Sequence, residues 1–403
     1  MIFFLIAIVI FTSMYGFIGW RIIVPASLVP PWNMIAWGIL IVFMLLPPVS
    51  IAFRVYGIDN TLSNILAWIG YMSLGFFLLV FSLIVMRDLV WFGALIVQKS
   101  FLLVRALLTN TGTVELLNLE RRRFLVNSVN LSILGISGAL AGYGFFEARR
   151  RPAVVEIFVP VDDLPDDLEG FRIVQITDIH VSSTINRSYV QAIVDQANNA
   201  EPDVIVFTGD LADDTVPHLR DNVAPLSQLS APYGCYFVTG NHEYYSGVEA
   251  WIEEVKRLGF TVLLNEHRIL QRGEGSILLA GVTDHEAGRT LQQHASSPEA
   301  SLNGASPNHV KVLLAHQPRS IYSASKLGFD LQISGHTHGG QFFPWHFVVG
   351  LQQPYISGLH RHDNTWIYVS RGAGYWGPPL RIGSRSEIAV IILTAAKNPS
   401  NSE

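Results

Sequence analysis

The sequence predicts an N-terminal multi-span α-helical membrane region followed by a water-soluble α/β domain, on three observations. Half of the 403 residues are hydrophobic and only 15% are charged, with a mean hydropathy of +0.34, against roughly one quarter charged in an ordinary soluble chain. Residues 1–120 hold four acids (Asp59, Asp88, Glu115 and Glu120), whereas all 13 histidines lie at or after His180. Beyond Pro152, short apolar runs alternate with stretches of 3.6-residue periodicity, the pattern of strands joined by crossover helices. The net charge of −5 and pI near 6.2 leave no basic excess to neutralise a phosphate backbone, so no dedicated nucleic-acid partner is expected. Cys235 is the only cysteine, which excludes an intrachain disulfide framework and a Cys-ligated zinc site.

Residues 1–151 form the expected membrane region, with four transmembrane helices at about 2–20, 34–53, 61–86 and 124–146. Ile2 to Trp20 is uncharged, and a helix of that length rises ~28 Å, enough for a hydrocarbon core of roughly 30 Å. In the second run Pro25, Pro30, Pro31, Pro47 and Pro48 confine or bend the helix. The fourth is bracketed by Arg121–Arg123 and Arg149–Arg151. No run contains an ionisable residue, so no pathway for a polar solute is visible. The lipid bilayer is the implied partner, and tethering to it implies a membrane-bound or cell-envelope substrate. Residues 87–123 carry Arg87, Lys99, Arg105 and the first arginine triplet, which places that loop in the cytoplasm and the remainder outside; the second triplet pulls the other way. Arg121 to Leu125 resembles the twin-arginine export pattern, although anchoring at the headgroups explains the same arginines. The apolar stretch 89–108, broken by Lys99 and Arg105, is expected in the interface or packed on the other helices.

Residues 152–397 form the α/β domain, and 398–403 a disordered tail. Strands are predicted over Phe171–Ile176, Asp203–Phe207, Cys235–Val238, Ser276–Ala280, Val310–Leu314, Asp330–Ile333, Trp366–Val369 and Ile388–Leu393. Helices are predicted over Arg187–Ala197 and Val248–Leu258. The later strands lack obvious helices between them, which implies an antiparallel portion.

Five of these strands run directly into residues that bind metals: Asp178 and His180; Asp210; Asn241, His242 and Glu243; His316; His336 and His338. In open α/β sheets ligands gather at the carboxyl ends of strands, so the five loops converge. Gly209, Gly240 and Gly335 precede ligand-type residues and permit a sharp bend. Singly, each residue has a plain structural role: Asp178 as a helix N-cap, Asp210 or Asn241 as a turn residue, a histidine as a hydrogen-bonded strand end. Together, two carboxylates, an amide oxygen and four imidazoles without a thiolate suit two divalent ions, Mn²⁺, Fe²⁺ or Zn²⁺, with Asp210 central enough to bridge them.

Asp178-x-His180, Gly209-Asp210 with Asp213, Gly240-Asn241-His242-Glu243, His316 and Gly335-His336-Thr337-His338-Gly339-Gly340-Gln341 resemble the five signature blocks of the calcineurin-like metallophosphoesterase superfamily, in order. The blocks cover roughly residues 171–394, and the Gly-Gly-Gln ending resembles its bacterial membrane-associated branch. The resemblance implies an α/β metallophosphoesterase domain with two central β-sheets flanked by helices. It also implies that Asp178, His180, Asp210 and His338 bind one metal, and Asp210, Asn241, His316 and His336 the other. Asp213 and Glu243 belong to the blocks without being expected ligands. The implied function is a membrane-anchored phosphohydrolase in which a metal-bridging hydroxide attacks a phosphomonoester or phosphodiester, with catalytic His242 protonating the leaving oxygen. Two alternatives stand beside it: a UDP-2,3-diacylglucosamine pyrophosphatase-type hydrolase, and a non-catalytic membrane sensor. Secondary candidates are Asp284, His285 and Arg371 for the pocket, His346, His360 and His362 without an assigned role, and Phe342, Phe343, Trp345, Tyr375 and Trp376 as a wall for a lipid tail or as loop packing.

Overall fold

The computed structural model describes residues 2–55, 58, 60–109, 119–306 and 309–396; the predicted tail at 398–403 lies outside them. The chain divides into two compact units, residues 1–144 and residues 145 onward.

Four helices in the first part are long and apolar enough to cross a membrane: α1 (Ile2–Ala26), α2 (Trp32–Val55), α3 (Thr61–Thr109) and α4 (Leu119–Arg149). Pro47 and Pro48 sit inside α2 without ending it. Tyr15, Ile18, Leu40, Val80, Ile84 and Ile133 form the bundle's buried contact. At 49 residues, α3 rises about 73 Å, more than twice a hydrocarbon core of ~30 Å. The stretch 89–105 continues it as a helix exposed on every side.

The helices extend beyond the apolar runs, so Arg21, Arg87 and Asp88, which lie outside those runs, fall within α1 and α3. The Arg21 Nε donates to Asp88 at 2.6 Å and the Arg87 Nη2 to the same carboxylate at 2.7 Å. Asn130 of α4 accepts from Arg87 and donates to the Arg21 carbonyl at 2.9 Å. Charged groups within apolar helices are stabilised by pairing with one another and with polar neighbours, which is what this cluster supplies.

In the second unit all eight predicted strands are present, together with four short or amphipathic ones that the apolar pattern did not reveal: β1 (Ala153–Val161), β5 (Thr261–Val262), β6 (Glu266–Arg272) and β10 (Gly358–His362). The others are β2 (Arg172–Ile176), β3 (Val204–Phe207), β4 (Cys235–Phe237), β7 (Gly275–Gly281), β8 (Val310–Leu314), β9 (Leu331–Ser334), β11 (Thr365–Val369) and β12 (Glu387–Ala395). They form two six-stranded sheets, ordered β1-β12-β2-β3-β4-β5 and β10-β11-β9-β8-β7-β6. Within them β2, β3 and β4 are mutually parallel, as are β7, β8 and β9. The antiparallel portion comprises the β6–β7, β10–β11 and β12–β2 pairs.

The pleat sends alternate residues of each strand to opposite faces. Ile388, Val390 and Ile392 of β12 join the core beneath α5 (Arg187–Asn199), α6 (Val216–Val223) and α8 (Val248–Arg257). Ala389, Ile391 and Leu393 point into the seam between the sheets, against Leu279, Val312 and Ile333. A third core packs the far face of the second sheet on α9 (Ile321–Ala324). The layers are therefore helix, sheet, sheet, helix. Asn186, not Asp178, caps α5 by accepting from the Tyr189 N–H. Asp178 is thus free of that role.

Ile391 is fully buried in the seam, so Ile391→Ala is expected to cost ~2–5 kcal/mol in urea-induced unfolding. Val154→Ala, on the same sheet but 45% exposed, should stay within ~0.5 kcal/mol.

Candidate metal centre

The carboxyl ends of β2, β3 and β4 in one sheet and of β8 and β9 in the other open onto the same crevice. Beyond the strands the backbone pairing continues: Asp178 N–H donates to Gly209 O at 3.0 Å, His180 N–H to Asp210 O at 3.2 Å, and Gly335 N–H to His316 O at 2.9 Å. This fixes five residues in the left-handed region: Asp178 and His180 at φ 53°, Asp210 at 55°, His336 at 72° and His338 at 50°. An L-residue pays roughly 1–2 kcal/mol for that conformation, which persists only where surrounding contacts over-determine it. The turn redirects each side chain from the sheet into the crevice.

The three glycines have two different reasons. Gly209 adopts φ +88° and is the bend the sequence implied, whereas a Cβ on Gly240 would overlap the Asp210 carboxylate and one on Gly335 would overlap that of Asp178. The latter two are there for space. Gly240 also caps α7 (Asn241–Ser246), which carries Asn241 and His242.

The side chains gather in two groups, Asp178/His180/His338 and Asp210/His316/His336, and His180, Asp210 and His242 form a third grouping that links them. His180 Nε2 lies 3.0 Å from His338 Nε2, 4.0 Å from Asp178 Oδ1 and 3.7 Å from Asp210 Oδ2. His316 Nε2 lies 3.1 Å from Asp210 Oδ2 and 3.1 Å from His336 Nδ1. The Asn241 Oδ1 is buried without a hydrogen-bond partner, an arrangement that is costly unless a ligand meets it. Burial pushes His336 down to about 3, aided by the nearby His316 charge, and burial together with the His180 charge holds His338 well below the usual imidazole range, so both present neutral rings. Asp178 is raised, with burial the largest cause, whereas His316 and His242 outweigh burial at Asp210 and hold it well below the usual carboxylate range. Converging imidazole lone pairs, two carboxylates and an orphaned amide oxygen fit a pair of divalent cations sharing Asp210.

Neighbouring groups fix the orientation of these rings. The Asp213 carboxylate lies 2.7 Å from both His180 Nδ1 and His242 Nδ1, and His316 Nδ1 lies 2.7 Å from the Thr208 carbonyl. Each leaves Nε2 facing the crevice. Glu243 accepts from the N–H groups of Asp210, Leu211 and Gly240 at 3.0, 2.8 and 2.7 Å. It thereby ties the loops after β3 and β4 together. Burial and the Asp210 charge raise its pKa to about 7.

Arg381 was not visible as a site residue, because nothing in its local sequence distinguishes it. Fully buried, it donates to the carbonyls of Gly374 at 2.8 Å, Arg371 at 2.7 Å, Ser384 at 3.0 Å and His338 at 3.3 Å. One side chain thus holds the three last loops of the site.

The secondary candidates separate. Asp284 is buried and accepts from Gln317, the neighbour of His316, at 3.0 Å. His285 lines a separate cavity of about 460 Å³ with Arg319 and Tyr322. Arg371 buttresses its loop through Glu387 at 3.2 Å. His360 stacks on Tyr355 and His362 bonds its hydroxyl at 3.0 Å, so both pack the insertion. Phe342 and Tyr375 are buried packing residues, whereas Trp345 and Trp376 are exposed beside the site. His346 packs its ring, tilted by 40°, against Phe347 in the helix that follows the last ligand block.

Comparison with known proteins adds four findings. A calcineurin-like phosphoesterase family model matches residues 171–340. A zebrafish (Danio rerio) transmembrane protein with metallophosphoesterase domain is 42% identical over 270 residues, 65% of this chain and 62% of that protein, so the chain spans about three fifths of this relative. An uncharacterized metallophosphoesterase of Helicobacter pylori is 39% identical over 68% of this chain and 72% of its own length; one from Bacillus subtilis is 31% identical over 68% and 98%.

Arg381→Met removes donors from several buried carbonyls at once and is expected to lower domain stability by ~3 kcal/mol or more, read as a fall in Tm. Arg371→Met, whose side chain is 42% exposed, should cost ~1 kcal/mol or less.

Proposed function

This chain belongs to the calcineurin-like metallophosphoesterases, and from that premise we propose that it is a membrane-anchored, dinuclear-metal hydrolase of a phosphomonoester or phosphodiester. The observation that carries the reading is the pair of His/Asp groups meeting at Asp210 beside the partnerless Asn241 Oδ1. Asp178, His180, Asp210 and His338 would hold one ion, and Asp210, Asn241, His316 and His336 the other. When bound, two divalent ions supply Lewis acidity: a lowered pKa for water and compensation of charge on the phosphoryl oxygens.

The remaining chemistry falls to the chain's own groups. His242 donates its backbone N–H to Asp210 Oδ1 at 2.9 Å and presents Nδ1 to Asp213 at 2.7 Å. Its Nε2 is left for the substrate, and the side chain is 16% exposed. Burial opposes its charge, but Asp210 and Asp213 outweigh burial and raise the pKa to about 9. A ring that retains its proton at neutral pH is suited to protonate the leaving oxygen. Asp213 fixes the tautomer and direction of that ring, as a positioning group. Arg121–Arg123, near the start of α4, support a cytoplasmic location for that end of the helix, with the catalytic domain on the other face of the membrane.

The test is hydrolysis of bis-p-nitrophenyl phosphate and p-nitrophenyl phosphate by the full-length protein with added Mn²⁺ or Zn²⁺. Metal-dependent turnover is expected, lost in Asp210→Ala and on chelation; silence from folded, metal-loaded protein would favour the sensor reading. His242→Ala should keep its metal content and lose ~10²–10⁴-fold in kcat. Loss of metal in that variant would instead make His242 a ligand.

A further inference from the structure

No Asp, Glu, Lys or Arg occurs between Asp330 and Arg361, an uncharged run of a kind that soluble domains seldom place on their surface. At its centre lies α10 (Trp345–Gln352), in which no residue is buried. Leu351 is 88% exposed and Phe347 61%, with Trp345 and Val348 each at 37%. The helix is positioned from below: a Cβ on Gly340 would strike His346, so the Gly-Gly after the last ligand lets α10 lie directly on the site loop.

This apolar face is continuous with the mouth of the metal centre. The Trp345 ring lies 6.5 Å from Trp376, Trp376 lies 6.1 Å from the His242 ring, and Tyr245 lies 5.3 Å from that same ring. Gln341 anchors the Trp376 loop by donating to the Trp376 and Pro378 carbonyls at 3.0 and 3.1 Å and accepting the Trp376 N–H at 2.9 Å. Trp376 and Tyr245 are themselves exposed, at 43% and 73%. Beneath α10 a cavity of about 340 Å³ opens among Gly339, Phe342, Phe343 and Ile382. The exposed aliphatics with Trp and Tyr around them have the composition of a surface that sits in the headgroup region of a membrane.

We propose that α10 together with Trp376 and Tyr245 is a bilayer-docking face, which seats the mouth of the metal centre in the membrane interface and makes a bilayer-embedded phosphoester its substrate. A lipid surface is the occupant because the chain brings one with it: it carries helices apolar enough to span a bilayer, and only residues 150–152 separate α4 from β1. An apolar patch of this kind buries its area in the lipid at no cost in ion-pair desolvation, since the run has no charge to desolvate. The substrate half of the proposal rests on the hydrolase reading; the docking half stands without it.

The test uses full-length protein in phosphatidylcholine nanodiscs. In a Cys235→Ser background, single cysteines replace Leu351 or, as control, Arg268 on β6, and each carries an environment-sensitive fluorophore. Doxyl groups on the lipid acyl chains are expected to quench the label at 351 at least twofold more than the label at 268. Phe347→Glu with Leu351→Glu is expected to lower turnover of a long-chain alkyl p-nitrophenyl phosphate in the disc about tenfold while leaving soluble bis-p-nitrophenyl phosphate within twofold. Equal quenching at both labels would overturn the docking face, as would protection of the 351 label that appears only with rising protein concentration, which would assign the face to a second copy. Quenching at 351 with no turnover of either ester would support docking and sink the hydrolase reading.

Discussion

The α/β domain is organised by the burial of acids that have few fixed cations to meet. Asp178, Asp210, Glu243 and Asp284 are essentially inaccessible to water, and desolvation alone would drive such carboxyls toward their neutral forms. The chain answers with backbone N–H groups and imidazoles: His336 N–H bonds both oxygens of Asp178 at 3.0 Å, His242 N–H bonds Asp210, and three N–H groups bond Glu243. Two of those donors, Asp210 and His336, belong to residues where the strand ends turn left-handed. The strain of the loops and the solvation of the acids are therefore one problem with one solution, and metal ions would complete it.

Seen this way the two sheets have a definite task. Each contributes parallel strands whose ends face a common crevice, the first bringing Asp178, His180, Asp210 and Asn241 and the second His316, His336 and His338. The apolar seam of Ile173, Val206, Leu279, Val312 and Ile391 holds the sheets together, and Arg381 then closes the C-terminal loops over the site through their carbonyls. A ligand set spread over more than 150 residues of sequence is thus fixed by packing rather than by local motifs.

What was legible in the sequence follows from period and from adjacency. Strands such as Val204–Phe207, buried on both faces, read as continuous apolar runs, and the candidate ligands two to four residues beyond them were readable by position. Edge strands were not: β1 alternates part-buried and exposed residues over its first six positions, β6 has Leu270 as its one buried residue, and β5 has two residues. Gly240 and Gly335 were correctly marked but for the wrong reason, because a side-chain overlap across the crevice is a tertiary fact. Arg381 was invisible for the same cause. In the membrane region, counting apolar runs missed that α3 continues through Arg87 and Asp88, since an ion pair in a helix interrupts hydropathy without interrupting the helix.

The central claim is that Asp210 is shared by two ions. Anomalous diffraction from crystals of the full-length protein loaded with Mn²⁺ or Zn²⁺ tests it most directly. The account predicts two anomalous peaks about 3.5–4 Å apart, with Asp210 between them and the Asn241 Oδ1 in contact with one. A single peak, or two peaks that do not share Asp210, would contradict it.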